Sequence, residues 1–409
     1  MKAMGPIPAQ FSAGDDAQLR IGGWTADELI EQAGGTPLFV YDNKIVGGQV
    51  ARFRAAMPDG LALHYAVKAN PYGPLLRFLA RHVDGFDIAS GGELRMLEDA
   101  EVGGLPISFA GPGKRDDEIE LAISANVSLN VESEGEVERA LAIAELVGRQ
   151  PKIAVRVNPP FGIKGSGMKM GGLASPFGVD ADRAAALVRR VIDAGAEWRG
   201  LHIFAGSQIL AAEALIEAQR ATVALAADIA AAVGSSPPEL NLGGGFGIPY
   251  FPGEQPLDVE AVGTALMETL RAAPDVLAQT RFAIELGRWL VGEAGVYLTR
   301  IVDRKESGGR TFLITDGGLH HMLAASGNFG QLLRRNYPVA IAGRFGSEAD
   351  EEVTVTGCLC TPLDLLADEV SLPHAEPGDV VAIFCAGAYG LTASPQAFLG
   401  QPPAREMLV

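Results

Sequence analysis

The stretch "LALHYAVKANPYG", residues 61–73, decides how this chain is read. Leu61, Ala62, Leu63, Tyr65, Ala66 and Val67 form an apolar run with the length and composition of a buried strand. The run then delivers an ammonium group, Lys68, and halts at Ala-Asn-Pro. An unpaired charge at the inner end of an apolar strand is expensive. Lys68 therefore snorkels to solvent, pairs with an acid such as Asp87, or takes part in chemistry.

Working outward, the same unit recurs. Strand-like runs fall at 61–67, 85–89, 106–110, 127–131, 152–157, 200–205, 239–242 and 281–286. Amphipathic runs between them, at 74–82, 91–100, 133–148 and 180–196, predict helices. Ser133 is the expected N-cap of the third of these, with Glu136 completing a capping box. Eight strands, each followed by a helix, in about 245 residues have the size and rhythm of a closed parallel (β/α)8 barrel. An open doubly wound sheet is the rival, but no G-x-G-x-x-G opens a helix. The barrel is expected over residues 43–285.

After residue 290 the rhythm changes. Runs 351–360 and 379–390 are β-rich, with Gly and Pro punctuation and no crossover helices. "AQLRIGG" (17–23) and "PLFVYD" (37–42) predict strands before the barrel. Residues 1–42 and 286–409 are thus expected to form a second, antiparallel β domain.

Of the 409 residues, 48% are hydrophobic and 20% charged, as in ordinary globular proteins. The net charge of −17 argues against nucleic acid or an anionic membrane as a partner. "MKAMGPIPAQFSAGDD" has no apolar signal region, and no run approaches the ~18 apolar residues of a membrane span. Cys358, Cys360 and Cys385 suit neither a disulfide framework nor a Cys-x-x-Cys metal site. A reducing, cytoplasmic setting is expected.

In a parallel barrel, chemistry gathers at the C-terminal ends of the strands. Those ends carry Lys68; Asp87, Ser90 and Glu93; Arg156 and Asn158; His202, Phe204 and Ser207; Gly243, Gly244 and Gly245; then Glu285 and Arg288. Three features define a ligand. The three glycines either close a turn or converge their amides on an anion. Lys68, if shielded from water, becomes a usable nucleophilic amine. Glu285, in the apolar "FAIELGR", needs a cationic partner, and Arg288 is one candidate. An aldehyde for the lysine, a phosphate for the glycines and a protonated ring nitrogen for Glu285 together describe pyridoxal phosphate.

"YAVKANP", "FDIASGGEL", "NLGGGFGIPY", "ELGRWLV", "GCLCTPLD" and "CAGAYG" together resemble the fold-type III pyridoxal-phosphate decarboxylases, the diaminopimelate/ornithine decarboxylase group. The resemblance covers nearly the whole chain. It implies an alanine-racemase-like TIM barrel plus a C-terminal β-sandwich or β-barrel domain. It further implies that Lys68 carries the cofactor's Schiff base and that Glu285 pairs with the pyridine nitrogen. Asp87 and Glu93 would support Lys68 and the ring. Ser207, Gly245, Arg288 and Tyr389 would hold the phosphate or the substrate carboxylate. Cys360 matches a cysteine that reaches a neighbouring subunit's site, which implies a homodimer with shared sites. It is the candidate proton donor. Without the resemblance, Cys358 and Cys360 read as packing on one strand face.

Three departures bear on the substrate. In diaminopimelate decarboxylases the sixth strand carries His-x-His-x-Gly-Ser-Gln, whereas "HIFAGSQ" places Phe204 at the stacking position. Thr361 stands where an acid reads the distal amine. Ala324 and Asn328 stand where an Arg and a Tyr bind the distal carboxylate. Losing one partner of a desolvated charge pair costs about 2–5 kcal/mol, so free diaminopimelate is expected to bind poorly. "HHMLAASGNFGQLLRRNYP" (320–338) looks like the subgroup acting on carrier-protein-tethered amino acids, or the exosortase-associated decarboxylases. Candidate substrate contacts are Arg156, Arg288, His321, Thr361 and Tyr389. Lys164, Lys169, Arg334 and Arg335 either receive an acidic carrier or belong to a lid and a solvated helix face. The alternatives are an ordinary diaminopimelate decarboxylase, with Arg334 or His321 replacing the lost contacts, and a non-catalytic pyridoxal-phosphate-binding paralogue.

Overall fold

The computed structural model describes residues 2–162, 172, 174–331 and 333–409, together with the backbone of Met168 and Lys169. The chain divides into two compact units. One comprises Val50–Ile248 and Pro256–Gly287; the other comprises Met1–Gln49, Pro249–Gln255 and Arg288–Val409.

The first unit is a closed parallel barrel. Its strands are β1 (Ala62–Ala66), β2 (Gly85–Ile88), β3 (Ile107–Phe109), β4 (Ser128–Val131), β5 (Lys152–Asn158), β6 (Glu197–Ile203), β7 (Glu239–Asn241) and β8 (Arg281–Leu286). Each pairs in parallel with the next, and β8 pairs with β1. Closure covers both faces of every strand, which is why these runs are apolar without alternation. Several of them, such as β2 and the inner part of β1, are buried at consecutive positions.

Among the described residues, seven helices of seven residues or more lie between the strands: Gly73–Leu79, Gly91–Asp99, Asp116–Ser124, Glu134–Val147, Ala181–Asp193, Ala212–Val233 and Val259–Arg271. The expectation that every strand is followed by its helix fails at β8, where the chain leaves the barrel unit after Gly287. The helix preceding β1, Asn43–Ala56, supplies the eighth place. From Val50 onward it packs Phe53 against Phe246, ring centroids 6.5 Å apart, and pairs Arg52 with Glu260.

The capping expectation is half met. Ser133 accepts from the Glu136 amide at 3.1 Å, but the Glu136 carboxylate reaches back to the Glu132 amide. It is drawn there because its other oxygen receives the Lys114 ammonium at 2.7 Å.

In the second unit, Gly295–Ser307 is the central strand. Leu38–Tyr41, Arg310–Thr315 and Val380–Ile383 all pair with it antiparallel. Val339–Ile341, Glu351–Thr356, Leu365–Leu372 and Arg405–Leu408 extend this sheet. The N-terminal "PLFVYD" run is thus built into the β unit, while Leu19–Ile21 joins a separate three-stranded sheet. Among the described residues, no helix is long and apolar enough to cross a membrane.

Candidate active site

At the C-terminal ends of the barrel strands, Lys68 sits on a single 3₁₀ turn, Val67–Ala69, directly after β1. It is exposed, so the expected shielding from water is absent: the strand ends at Ala66 and the lysine falls on the turn that follows. Its Nζ lies 6.0 Å from the centroid of the Phe204 ring. Two enclosed carboxyl groups feel its charge. Burial, reinforced by the Glu285 charge, raises Asp87 well above the usual carboxylate range, and its Oδ1 has no hydrogen-bond partner. Glu285 is equally enclosed yet moves the other way: burial works to raise it, but the charges of His202, Lys68 and Arg156 outweigh this and hold it low. Its Oε2 lies 3.2 Å from His202 Nε2 and accepts from Asn241 Nδ2 at 3.3 Å. Glu93 is raised by burial, although its carboxylate caps the Ala89 amide at 2.6 Å.

Arg156, on β5, is held on two sides. Its Nη1 donates to Glu132 at 2.9 Å, and its guanidinium lies 5.2 Å from the Phe177 ring centroid. Glu132 also accepts the Gly111 and Gly178 amides, so one carboxylate gathers three segments around the guanidinium. Next to it Lys114 donates to Gly111 O, Asn130 O and Glu136, entirely out of water.

The glycine turn after β7 is constrained by its surroundings. Gly243 and Gly245 adopt φ of 70° and 91°, in the left-handed region. A Cβ on Gly244 would sit 1.9 Å from the backbone oxygen of Glu285. The expectation that all three amides converge on an anion needs one correction. The Gly243 amide is taken by its neighbour's side chain, Asn241 Oδ1, at 2.8 Å. The amides of Gly244 and Gly245 meet no acceptor among the described residues. Ser207 lies on a two-residue strand, Gly206–Ser207.

The β unit holds the other candidates. Arg288 donates to the Tyr250 hydroxyl at 2.8 Å and stacks over the Tyr250 and Tyr389 rings, at 5.4 and 4.6 Å. Its buried Nε has no partner. Burial pushes the Tyr250 hydroxyl up to about 12. Tyr250 ends the quoted "NLGGGFGIPY", yet sequence reasoning missed it, because only the fold brings it to Arg288. Tyr389 takes φ of 53°.

His321 is fully enclosed, with Nδ1 on the Tyr297 hydroxyl and Nε2 on the Pro402 carbonyl, which leaves no ring nitrogen for a substrate. Arg334 donates to Leu365 O, while Arg335 pairs with Glu254 and lies over the Phe251 ring. Lys164 and the side chain of Lys169 lie outside the described residues. Cys358 and Cys360 do not share a strand face: the strand ends at Thr356 and both sit in the following loop, Cys360 exposed and Cys358 half-buried. Cys358 and Thr361 border a cavity of about 480 Å³. Asn328 turns its amide onto Ser326 Oγ at 2.8 Å.

Residues 44–292 match the family described as pyridoxal-dependent decarboxylase, pyridoxal binding domain. This chain belongs to that family. The decarboxylase is 35% identical over 379 residues to the L-glutamyl-(BtrI acyl-carrier protein) decarboxylase of Niallia circulans, covering 91% of this chain and 88% of that one. It is 32% identical to the diaminopimelate decarboxylase of Methanothermobacter thermautotrophicus, over 97% and 91% of the two chains. The crystal structure of the M. jannaschii diaminopimelate decarboxylase with L-lysine superposes with a TM-score of 0.85 at 26% identity, over 98% and 93%. The protein is a lyase that decarboxylates an amino acid with pyridoxal phosphate as cofactor.

The barrel mouth fits that cofactor. Two unclaimed amides on the glycine turn suit its phosphate, the exposed amine of Lys68 suits its aldehyde, and the enclosed Glu285 anion suits a ring cation. The Asp87 oxygen without a partner marks a place for a further donor. His202 stands among the strand-end residues in the sequence reading without a role; its place beside Glu285 depends on the register of β6, β7 and β8.

Proposed function

We propose that the substrate is an aminoacyl group tethered to a carrier protein, decarboxylated at its α-carbon by an enzyme anchored to its cofactor through Lys68. The absence of charge at the distal-group positions carries this reading. Ala324 offers no polar side chain, Asn328 spends its amide on Ser326, and Thr361 cannot pair with a distal ammonium. A free diaminopimelate would have to desolvate both distal charges without partners. A tethered substrate has no free distal carboxylate to satisfy. The 35% identity to an enzyme named for a carrier-bound glutamyl group supports the same choice. Arg334 and His321, which the ordinary diaminopimelate reading would need, both have other partners.

Bound pyridoxal phosphate supplies a covalent hold on the substrate amine and a ring that accepts the electron pair left when carbon dioxide departs. With the cofactor bound, Glu285 would keep the ring nitrogen protonated and Phe204 would offer an aromatic face to the ring. Asp87 and Glu93 would support Lys68 and the ring. Gly244, Gly245 and Ser207 receive the phosphate. Arg156, Arg288 and Tyr389 are the groups for the substrate carboxylate. Cys360 of a second copy returns the proton to the α-carbon, so the working form is a homodimer. Free thiols at all three cysteines accord with a cytoplasmic setting.

The deciding experiment measures carbon dioxide release from free diaminopimelate, ornithine, lysine and glutamate, and from aminoacyl-carrier conjugates. Preference for a conjugate is expected; ordinary turnover of free diaminopimelate overturns the substrate assignment. Borohydride reduction of the holoenzyme followed by peptide mapping should mark Lys68, and a label on any other residue overturns the anchoring role.

A further inference from the structure

We propose that Asp364 is a positioning residue for this reaction: its carboxylate locks the cysteine loop 357–364 onto the turn 317–322, and so sets where Cys360 and Thr361 stand. The inference rests on the reading that Cys360 returns the proton.

Asp364 is 3% exposed, and no cation pairs with its carboxylate among the described residues. Its two oxygens are divided between two segments far apart in sequence. Oδ1 accepts the Leu319 amide at 2.6 Å, and Oδ2 accepts the Leu359 amide at 2.8 Å. The second amide lies between Cys358 and Cys360. The first lies one residue before the His320–His321 pair and five before Ala324. One side chain therefore fixes the thiol segment against the segment that carries a distal-group position.

The backbone around Asp364 closes the same loop. Its carbonyl accepts from Gly357 at 3.0 Å, and its own amide donates to Thr361 O at 3.2 Å. That second bond closes a four-residue turn with Pro362 at the position where a fixed φ helps most. Pro362 follows Thr361, the residue that stands at an acid's position in the resemblance, and its fixed φ stiffens this loop.

Two glycines make the arrangement possible. A Cβ on Gly318 would sit 2.4 Å from Oδ1, and one on Gly357 2.2 Å from Oδ2. Both backbones approach the carboxylate more closely than any side-chain-bearing residue allows. A group that only filled space would not need two amides and two glycines aimed at its oxygens. Charge-assisted bonds to amides are among the stronger and more directional ones, which suits a part that has to fix position.

The test is Asp364→Asn in the holoenzyme, which keeps the shape but turns one acceptor into a donor facing an amide. The expected result is a kcat lowered roughly 100-fold, the scale of misplacing a reacting group by about 1 Å, with KM and cofactor affinity unchanged. In the same variant a thiol reagent should label the half-buried Cys358 faster than it does in the unaltered protein. Wild-type kcat with wild-type labelling overturns the proposal. So does a loss of kcat that only tracks a loss of folded protein by circular dichroism. If Asp364→Asn does not accumulate folded, Gly318→Ala replaces it, with the same expected pattern and the same overturning results. Cys360→Ser separates the two layers. Unchanged turnover there overturns the role of Cys360. Slow turnover there, with Asp364→Asn behaving as wild type, overturns Asp364 alone.

Discussion

Glu285 Oε2 lies 3.2 Å from His202 Nε2, and both side chains are 3% exposed. The contact follows from strand register. His202 on β6 stands level with Asn241 on β7, Asn241 stands level with Ala283 on β8, and Glu285 is two residues further along the same strand. Nearby Asp87 feels the Glu285 charge and moves upward while Glu285 moves down. Two enclosed acids are thereby driven in opposite directions, Glu285 towards the anion and Asp87 towards the neutral acid.

Glu285→Gln removes the charge and keeps the size. Carbon dioxide release should fall by roughly two orders of magnitude or more, the scale of losing one preorganised electrostatic contact. Unfolding by urea should change far less. His202→Asn should lower activity in the same direction by a smaller factor, because Arg156 and Lys68 still act on Glu285. Steady-state assays on the two variants check the order.

Gly244→Ala places a methyl 1.9 Å from the Glu285 backbone oxygen, so the turn has to shift. Cofactor affinity should drop at least tenfold and stability by roughly 1–3 kcal/mol, as for overpacking in a rigid site. Spectrophotometric titration with pyridoxal phosphate and thermal melts read the two effects separately. Wild-type affinity in this variant would contradict a phosphate-binding role for the turn.

His320 is wholly enclosed, and neither of its ring nitrogens has a partner among the described residues. Burial, helped by His321 at a ring distance of 3.8 Å, pushes it down from 6.5 to about 4. The unfolded chain takes up the proton near 6.5 and the folded chain only near 4, so between these values the unfolded state binds more protons. Stability therefore falls as pH drops through that window and is level above it. Between pH 8 and 5.5 this group should remove about 1.4 kcal/mol. His321, also lowered chiefly by burial, acts in the same sense. Urea unfolding at several pH values should show the slope, and His320→Phe should flatten it.

Lys114→Met leaves Glu136 charged and enclosed without its cation, together with the carbonyls of Gly111 and Asn130. Breaking a buried pair by one partner costs about 3–5 kcal/mol. Adding Glu136→Gln should recover part of that loss. Denaturant midpoints for the single and double variants check both statements.

Strand periodicity and strand-end chemistry made the barrel readable from sequence, because a parallel barrel imposes a local rule eight times over. The run 281–286 is itself a strand, and the other seven differ from their expected bounds by only a few residues. Lys68, Asp87 and Glu285 were found because a charge at the end of an apolar run is locally conspicuous. Three partnerships escaped that logic: His202 with Glu285, Tyr250 with Arg288, and Asp364 with the Leu319 and Leu359 amides. Each joins residues at least five positions apart, most of them dozens apart, and no periodic signal connects them. The misplaced expectations have the same origin. The shielding of Lys68, a free amide at Gly243 and an available imidazole at His321 all turn on what surrounds a group.

By itself the sequence determined the alternation of strand and helix, the residue types delivered to the strand ends, and the loss of charged groups at the distal positions. All of these are carried by spacing and side-chain chemistry along the chain. The tertiary structure alone decided which of two enclosed acids is pushed up and which down, which glycine amides remain open to an anion, and which carboxylate pins the cysteine loop. Those depend on distances across strands and between loops, and electrostatics and hydrogen bonding follow distance in space.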